Sequence, residues 1–235
     1  MSLKPCVIIT GASKGLGFAL VHEFLKSSTL IVVACARTYP KSIKTLEQKY
    51  SKRLFYFTAD ITNTTAIKLI FDNIKQLQLK PQIVINNAAA LLQKSFLKTV
   101  PHEITHLFAV NVFAPIMLIQ TLIKQQSKSA PLHIINIASM GGIQGSMKFS
   151  GLSIYASTKA ALIGLTECLA EEFKNYNVRC NAIALGATQT EMFSKAFPDF
   201  KAPVKPIQVA QWICMFALAP AVINGKIIPL AVSTP

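Results

Sequence analysis

A chain of 235 residues, half of them hydrophobic, is long enough to enclose a full core, and its formal net charge of +14 sets it apart from an average enzyme. Its five cysteines (Cys6, Cys35, Cys168, Cys180, Cys214) are odd in number and widely spaced without a Cys-x-x-Cys pair, which fits reduced core thiols in a cytoplasmic protein rather than a disulfide scaffold. The mean hydropathy of +0.42 is high, yet the apolar runs read as too short and too interrupted by charge to span a bilayer. Thr10 and Gly11 also cut the first run short of a signal-peptide core.

Taken in order, Cys6 to Ile9 is a buried strand followed by Thr10-Gly11-Ala12-Ser13-Lys14-Gly15-Leu16-Gly17 and a helical pattern through Leu20, Val21 and Phe24. Strand, glycine turn and helix in that order form a phosphate cradle. Gly11 permits the tight turn, Gly15 lets a pyrophosphate approach the backbone, and Gly17 lets the helix sit close to the sheet with its positive end toward the anion. The spacing is Gly-x-x-x-Gly-x-Gly, and a plain strand-to-helix turn would also produce it. Leu30 to Ala36 is a second strand ending at Arg37, Leu54 to Thr58 a third followed by Asp60, and Thr64 to Leu77 a helix. Pro81 to Asn86 is a fourth strand, a long helix follows Pro101, and Leu132 to Ala138 is a fifth strand ending at Ser139. A helix from near Ile154 to Tyr176, a strand over Val178–Ala184, a helix over Ile207–Leu218 and a short strand over Lys226–Leu230 complete the chain. The alternation predicts a single α/β domain over residues 1–235, a doubly wound Rossmann-type fold with a mostly parallel sheet of about seven strands. In such sheets ligands sit beyond the carboxyl ends of the strands, which is where Gly11, Arg37, Asp60, Asn86 and Ser139 fall.

Basic residues cluster from Arg37 to Arg53, and the charge raises nucleic acid as a partner. No aromatic residues interleave with them and no helix-turn-helix spacing stands out, so a lysine-rich solvated surface is the favoured reading; an acidic protein or a phosphorylated cofactor remains open. At the end of the second strand an NAD enzyme normally carries a carboxylate for the ribose 2′-OH. Here Ala34-Cys35-Ala36-Arg37 carries none, and Arg37 with Lys14 offers two cations to a 2′-phosphate, which points to NADP(H).

Tyr155 and Lys159, four apart at the start of a helix, share one face. A nearby ammonium favours phenolate and lowers a phenol pKa from about 10, so the tyrosine would exchange a proton near neutrality. Ser139 would hold a substrate carbonyl oxygen. Pro115 lacks the N–H that would bond the Asn111 carbonyl, which frees that carbonyl for a water leading to Lys159. His102-Glu103-Ile104-Thr105-His106 fits His-Glu-x-x-His, but no third ligand stands at a recognised spacing and the motif opens a helix, where an acid is favoured anyway. No metal is expected.

Over nearly its whole length the chain resembles the short-chain dehydrogenase/reductases, on Thr10-Gly11-x-x-x-Gly15-x-Gly17, Asp60, Asn86-Asn87-Ala88-Ala89, Asn111, Ser139, Tyr155-x-x-x-Lys159 and Leu185-Gly186-x-x-x-Thr190. The resemblance implies catalysis by Ser139, Tyr155 and Lys159, with Asn111 completing a proton relay. It implies cofactor contacts from Gly11, Ser13, Lys14, Gly15, Leu16, Gly17, Arg37, Asp60, Ile61, Asn87, Ala88, Ala89, Tyr155, Lys159, Thr188 and Thr190. The implied reaction is hydride transfer between NADPH and a small-molecule carbonyl or alcohol, by a cytoplasmic homodimer or homotetramer that engages neither nucleic acid nor membrane. Two alternatives stay open: reduction of 3-oxoacyl chains on an acidic carrier protein, and a non-catalytic NADP-binding sensor or regulator. The chain departs from the family at Ala89 in place of glycine, at Leu185 in place of proline and at Thr188. The loop from Met140 to Ile154 is long, the segment between Thr190 and Ile207, normally the substrate lid, is short, and the last strand lacks the frequent Asp-Gly-Gly close.

Overall fold

Continuous apolar runs form strands buried on both faces, and the computed structural model, which describes residues 3–232 apart from 126 and 129, arranges seven of them in one parallel sheet. The elements are β1 (Lys4–Thr10), α1 (Gly15–Ser27), β2 (Ile31–Ala36), α2 (Lys41–Lys49), β3 (Leu54–Thr58), α3 (Thr64–Gln76), β4 (Leu79–Asn86), α4 (Pro101–Phe108) and α5 (Ala114–Gln125). They continue with β5 (Leu132–Ser139), α6 (Ser153–Glu172), β6 (Val178–Leu185), α7 (Glu191–Ala196), α8 (Pro206–Leu218) and β7 (Ile227–Leu230). The strand order β3-β2-β1-β4-β5-β6-β7 reverses between β1 and β4, which opens a crevice at their carboxyl ends. One core packs α1, α2 and α8 on one face of the sheet through Leu20, Phe24, Ile43 and Ile213; the other packs α3 and α5 on the opposite face through Ile67, Phe71, Leu118 and Leu122.

The helices α2 and α7 were not expected, and β4 begins at Leu79 rather than Pro81. Four cysteines are buried, but Cys168 is exposed on α6. The basic stretch is not uniformly solvated: Arg53 reaches under the end of α1, where Nη1 donates to the Leu25 carbonyl (3.0 Å) and Nη2 to those of Ser28 (2.5 Å) and Leu30 (3.1 Å). A helix C-terminus exposes unpaired carbonyls, and a guanidinium fork satisfies several at once. The expectation that every apolar run is too short for a bilayer also fails by length and composition. Pro101–Gln125 forms one continuous helical run of 25 residues that contains an 18-residue window of mean hydropathy 1.8. Its apolar side is spent on the domain itself, with Leu107, Leu118, Ile119 and Leu122 almost fully covered.

Candidate active site

The turn after β1 is built as its glycines require. Gly11 has φ +68° and Gly15 φ +56°, both in the left-handed region that disfavours a side chain. Gly17 is tighter still: a Cβ there would stand 2.1 Å from the Gly11 carbonyl oxygen. Thr10 fastens this turn to the neighbouring strand end, its Oγ1 accepting from the N–H groups of Asn87 (3.1 Å) and Ala88 (3.0 Å). The Asn87 amide in return donates to the Thr10 carbonyl at 2.9 Å. No side chain caps the N-terminus of α1, so its positive end faces the crevice. Ala89 has no positive φ, which explains how alanine replaces glycine there without strain.

The crevice is a single cavity of about 1730 Å³, and all sixteen residues expected to contact a cofactor line it, as does Ser139. Asn86 does not. Side chains alternate along a strand, so Asn87 faces the crevice while Asn86 is buried in the sheet, donating to Asn136 Oδ1 at 2.8 Å. Arg37 is exposed at the end of β2, and its charge is one of the influences that hold Asp60 below the usual carboxylate range, after the larger effect of the Thr62 backbone N–H. Lys14 differs from expectation: its ammonium is paired with Glu191 of α7 at 2.8 Å, and Glu191 also pairs with Lys195. Those two lysines hold the Glu191 carboxyl down at about 2. Thr190 caps α7, accepting from the Phe193 N–H at 3.1 Å, and its methyl carbon lies 3.5 Å from where a Cβ on Gly15 would stand. The short segment after β6 therefore reaches over the glycine turn.

Ser139, Tyr155 and Lys159 share one wall of the cavity. Burial pushes the Tyr155 phenol up to about 12, opposed by its hydrogen bond with Ser139. Lys159 is 2% exposed, its Nζ donates to the Ile137 carbonyl at 2.8 Å and stands 5.8 Å from the Tyr155 ring centre, and burial lowers it to about 8. Burial thus outweighs the lowering of the phenol expected from the ammonium. The turn Met140–Gly142 docks Ser139 against α6, since a Cβ on Gly142 would lie 2.8 Å from the Lys159 carbonyl carbon. In the sequence the only mark of this contact is the Gly141-Gly142 pair.

Asn111 lies behind the wall rather than in the cavity. It is 1% exposed; its Oδ1 accepts from the Ala90 N–H (2.7 Å), and its Nδ2 donates to the Ala90 carbonyl (2.9 Å) and to Thr158 Oγ1 (2.9 Å). Thr158 in turn donates to the Tyr155 carbonyl at 2.7 Å. Around Asn111 the helix widens to a π turn over Ala109–Phe113, just before Pro115, whose ring would clash with the carbonyl four residues back in a regular helix. His102 and His106 sit exposed at the cavity mouth, while Glu103 accepts from the Val100 N–H (3.0 Å) and pairs with Lys94 (2.8 Å). Glu103 is a helix cap. Among the described residues no three His, Cys, Asp or Glu side chains gather as a metal site.

A parallel doubly wound sheet with a glycine turn at its switch point and a serine, tyrosine and lysine on the facing wall defines a nicotinamide-dependent oxidoreductase. The model of the short chain dehydrogenase family matches residues 5–201, and the chain belongs to that family. Among its relatives is an uncharacterized oxidoreductase of Saccharomyces cerevisiae, 28% identical over 200 residues; the match takes in 82% of this chain but only 63% of the yeast protein. Two solved structures are similar in fold: ElxO with NADP bound (26% identity, TM-score 0.82, covering 97% of this chain and 96% of that one) and 4-hydroxyisoleucine dehydrogenase complexed with NADH (27% identity, TM-score 0.86, 97% of each). The protein is an oxidoreductase that uses a nicotinamide cofactor, acting on a small-molecule substrate.

Proposed function

We propose that residues 1–235 act as one NADPH-dependent carbonyl reductase in which Tyr155 is the proton donor. The observation that supports this best is that Ser139, Tyr155 and Lys159 stand together in the lining of the cavity that the glycine turn also lines. The residues present suit a dinucleotide: Gly11 and Gly17 lie too close to neighbouring atoms to carry side chains, Gly11 and Gly15 hold the left-handed turn, and the α1 N-terminus supplies the complementary charge. Asp60 and Ile61 would border the adenine, Asn87, Ala88 and Ala89 the adjoining ribose, and Thr188 and Thr190 the nicotinamide side. A bound NADPH supplies the hydride.

That hydride would form the new C–H bond at the substrate carbonyl carbon as the C=O π bond breaks, and the oxygen would take its proton from Tyr155. Ser139 orients that oxygen by hydrogen bond. A phenol held at about 12 stays protonated throughout the neutral range, so its proton is in place to be donated. Lys159 would hold a ribose hydroxyl and steady the phenolate as it forms, and the Asn111 carbonyl would anchor a water through which a proton passes from solvent toward Lys159. The preference for NADPH rests on Arg37, since Lys14 is shared with Glu191. The test is Tyr155→Phe, which keeps the ring and removes the proton: cofactor binding should persist while reduction falls by at least ~100-fold. Turnover retained in that variant would refute the assignment.

A further inference from the structure

The structure assigns a substrate class to this site, an inference that rests on the proposed reaction: we infer that the reductase takes neutral ketones bearing an aryl group next to the reacting carbonyl. The cavity of about 1730 Å³ is larger than the roughly 300–1000 Å³ usual for one small-molecule ligand, so a dinucleotide leaves space for a second sizeable one. Beyond Ser139 and Tyr155 that space is walled by aromatic rings from two segments. Phe193 of α7 packs on Phe197 (ring centres 5.1 Å apart) and on Phe200 (6.0 Å), and Phe197 meets Phe149 of the loop after Ser139, edge to face at 6.1 Å. Phe149 and Phe200 remain 49% and 57% exposed although they line the cavity. Four rings facing one chamber, two of them half uncovered, favour an occupant that presents an aromatic face or edge of its own.

The charged groups around the chamber argue for neutrality. Lys195 is paired with Glu191 and Lys94 with Glu103, each at 2.8 Å. Lys148 donates to the carbonyls of Gly141 (2.8 Å) and Ile143 (2.5 Å) and to Ser146 Oγ (2.9 Å), so its ammonium is used to hold the loop that carries Phe149. Each lysine lining the chamber thus already has partners, and a substrate carboxylate or carrier phosphate would have to displace them. An uncharged aryl ketone displaces nothing.

The probes are 1-phenyl-1,2-propanedione and 2,3-butanedione, which share the reacting dicarbonyl and differ by a phenyl for a methyl. With NADPH the phenyl compound should be preferred on the order of 100-fold in kcat/KM, and Phe197→Ala should cut that ratio by about 10-fold, while Phe197→Leu, which keeps the bulk, cuts it less. Pyruvate and an acetoacetyl thioester should be poorer than the phenyl dione. A ratio near one, a ratio unmoved in Phe197→Ala, or preference for the thioester or the anion would overturn the inference and leave the reductase reading standing. Calorimetric titration of both diones into the NADP⁺-loaded protein, which has no hydride to give, separates the two readings. If neither dione is reduced, the reaction reading fails, and the chamber is judged on binding alone: tighter binding of the phenyl dione by ~10-fold upholds it, and equal binding overturns it.

Discussion

Replacing Lys159 by methionine should make the folded protein more stable at pH 7 while abolishing reduction. The ammonium is 2% exposed and burial lowers it from 10.5 to about 8, so holding it charged in the fold costs ~3 kcal/mol at neutral pH. Methionine fills nearly the same volume without charge but gives up the 2.8 Å bond to the Ile137 carbonyl, a loss of ~1 kcal/mol. A net gain of ~2 kcal/mol should remain. Because the folded-state value lies below the unfolded one, the wild-type penalty is fully present below pH 8 and is relieved as pH rises toward 10.5. The gap between variant and parent should therefore shrink across that window and end near or below zero. Other groups titrate there as well: Cys6, Cys35 and Cys180 are each pushed up to about 12 by burial, as is Tyr155, which makes both proteins lose stability in alkali. Those terms are common to the two, so the difference isolates Lys159. Urea denaturation of both proteins at pH 7, 8.5 and 10 measures it. A variant less stable than the parent at pH 7, or a gap that does not change with pH, would refute the reasoning.

Arg37→Ala should lower the preference for NADPH over NADH by ~5–10-fold in a binding titration, since an exposed charge-assisted contact is worth about 1 kcal/mol. Glu191→Gln should instead strengthen NADPH binding a few-fold, most at low salt, by freeing Lys14 and removing a carboxylate from the cofactor cleft. Arg53→Met leaves the Leu25, Ser28 and Leu30 carbonyls without their shared donor and should lower the melting temperature by ~5–10 °C; lysine, lacking the planar fork, should rescue it poorly. Two glycine-to-alanine changes within helices should have opposite signs. In Gly17→Ala the new methyl collides with the Gly11 carbonyl and cofactor affinity falls by at least ~100-fold, whereas at Gly164, with nothing within 4 Å, alanine should stabilise by ~0.5–1 kcal/mol in denaturant melts.

The sheet was legible in the sequence because buried parallel strands are unbroken apolar runs, and the glycine turn because its glycines answer to sterics that only glycine meets. Lys14 was harder to place. Its partner Glu191 lies 177 positions away on a helix too short to carry a periodic pattern, and an ion pair leaves no spacing in a sequence. Arg53 was hidden for a related reason: it sits among lysines that are solvated, and only the path of the chain around the end of α1 shows which cation meets the carbonyls. The phenylalanines of the chamber lie scattered between positions 149 and 200. They become a wall only once the loop after Ser139 and the segment after β6 are folded against each other. Asn86 was misjudged by one residue, and in a strand one residue is the difference between the crevice and the interior.

That misplaced asparagine turns out to serve the site from beneath. Asn86 ends β4 and donates to Asn136 of β5, and Asn136 donates to Thr166 of α6 at 2.9 Å. These three elements carry Asn87, Ser139, and the Tyr155–Lys159 pair, respectively. About two turns nearer the start of α6, Asn111 joins the segment after β4 to Thr158 by the same kind of bond. A chain of buried amides and hydroxyls is a costly way to hold a sheet together, since hydrophobic side chains would do so without desolvating polar groups, and here the Asn86 Oδ1 has no hydrogen-bond partner among the described residues. Hydrogen bonds, unlike apolar contacts, fix both distance and direction. A reaction in which a proton and a hydride must reach the same carbonyl tolerates little error in either, and two polar ties that both end on α6 would supply that directional constraint where apolar packing alone would not.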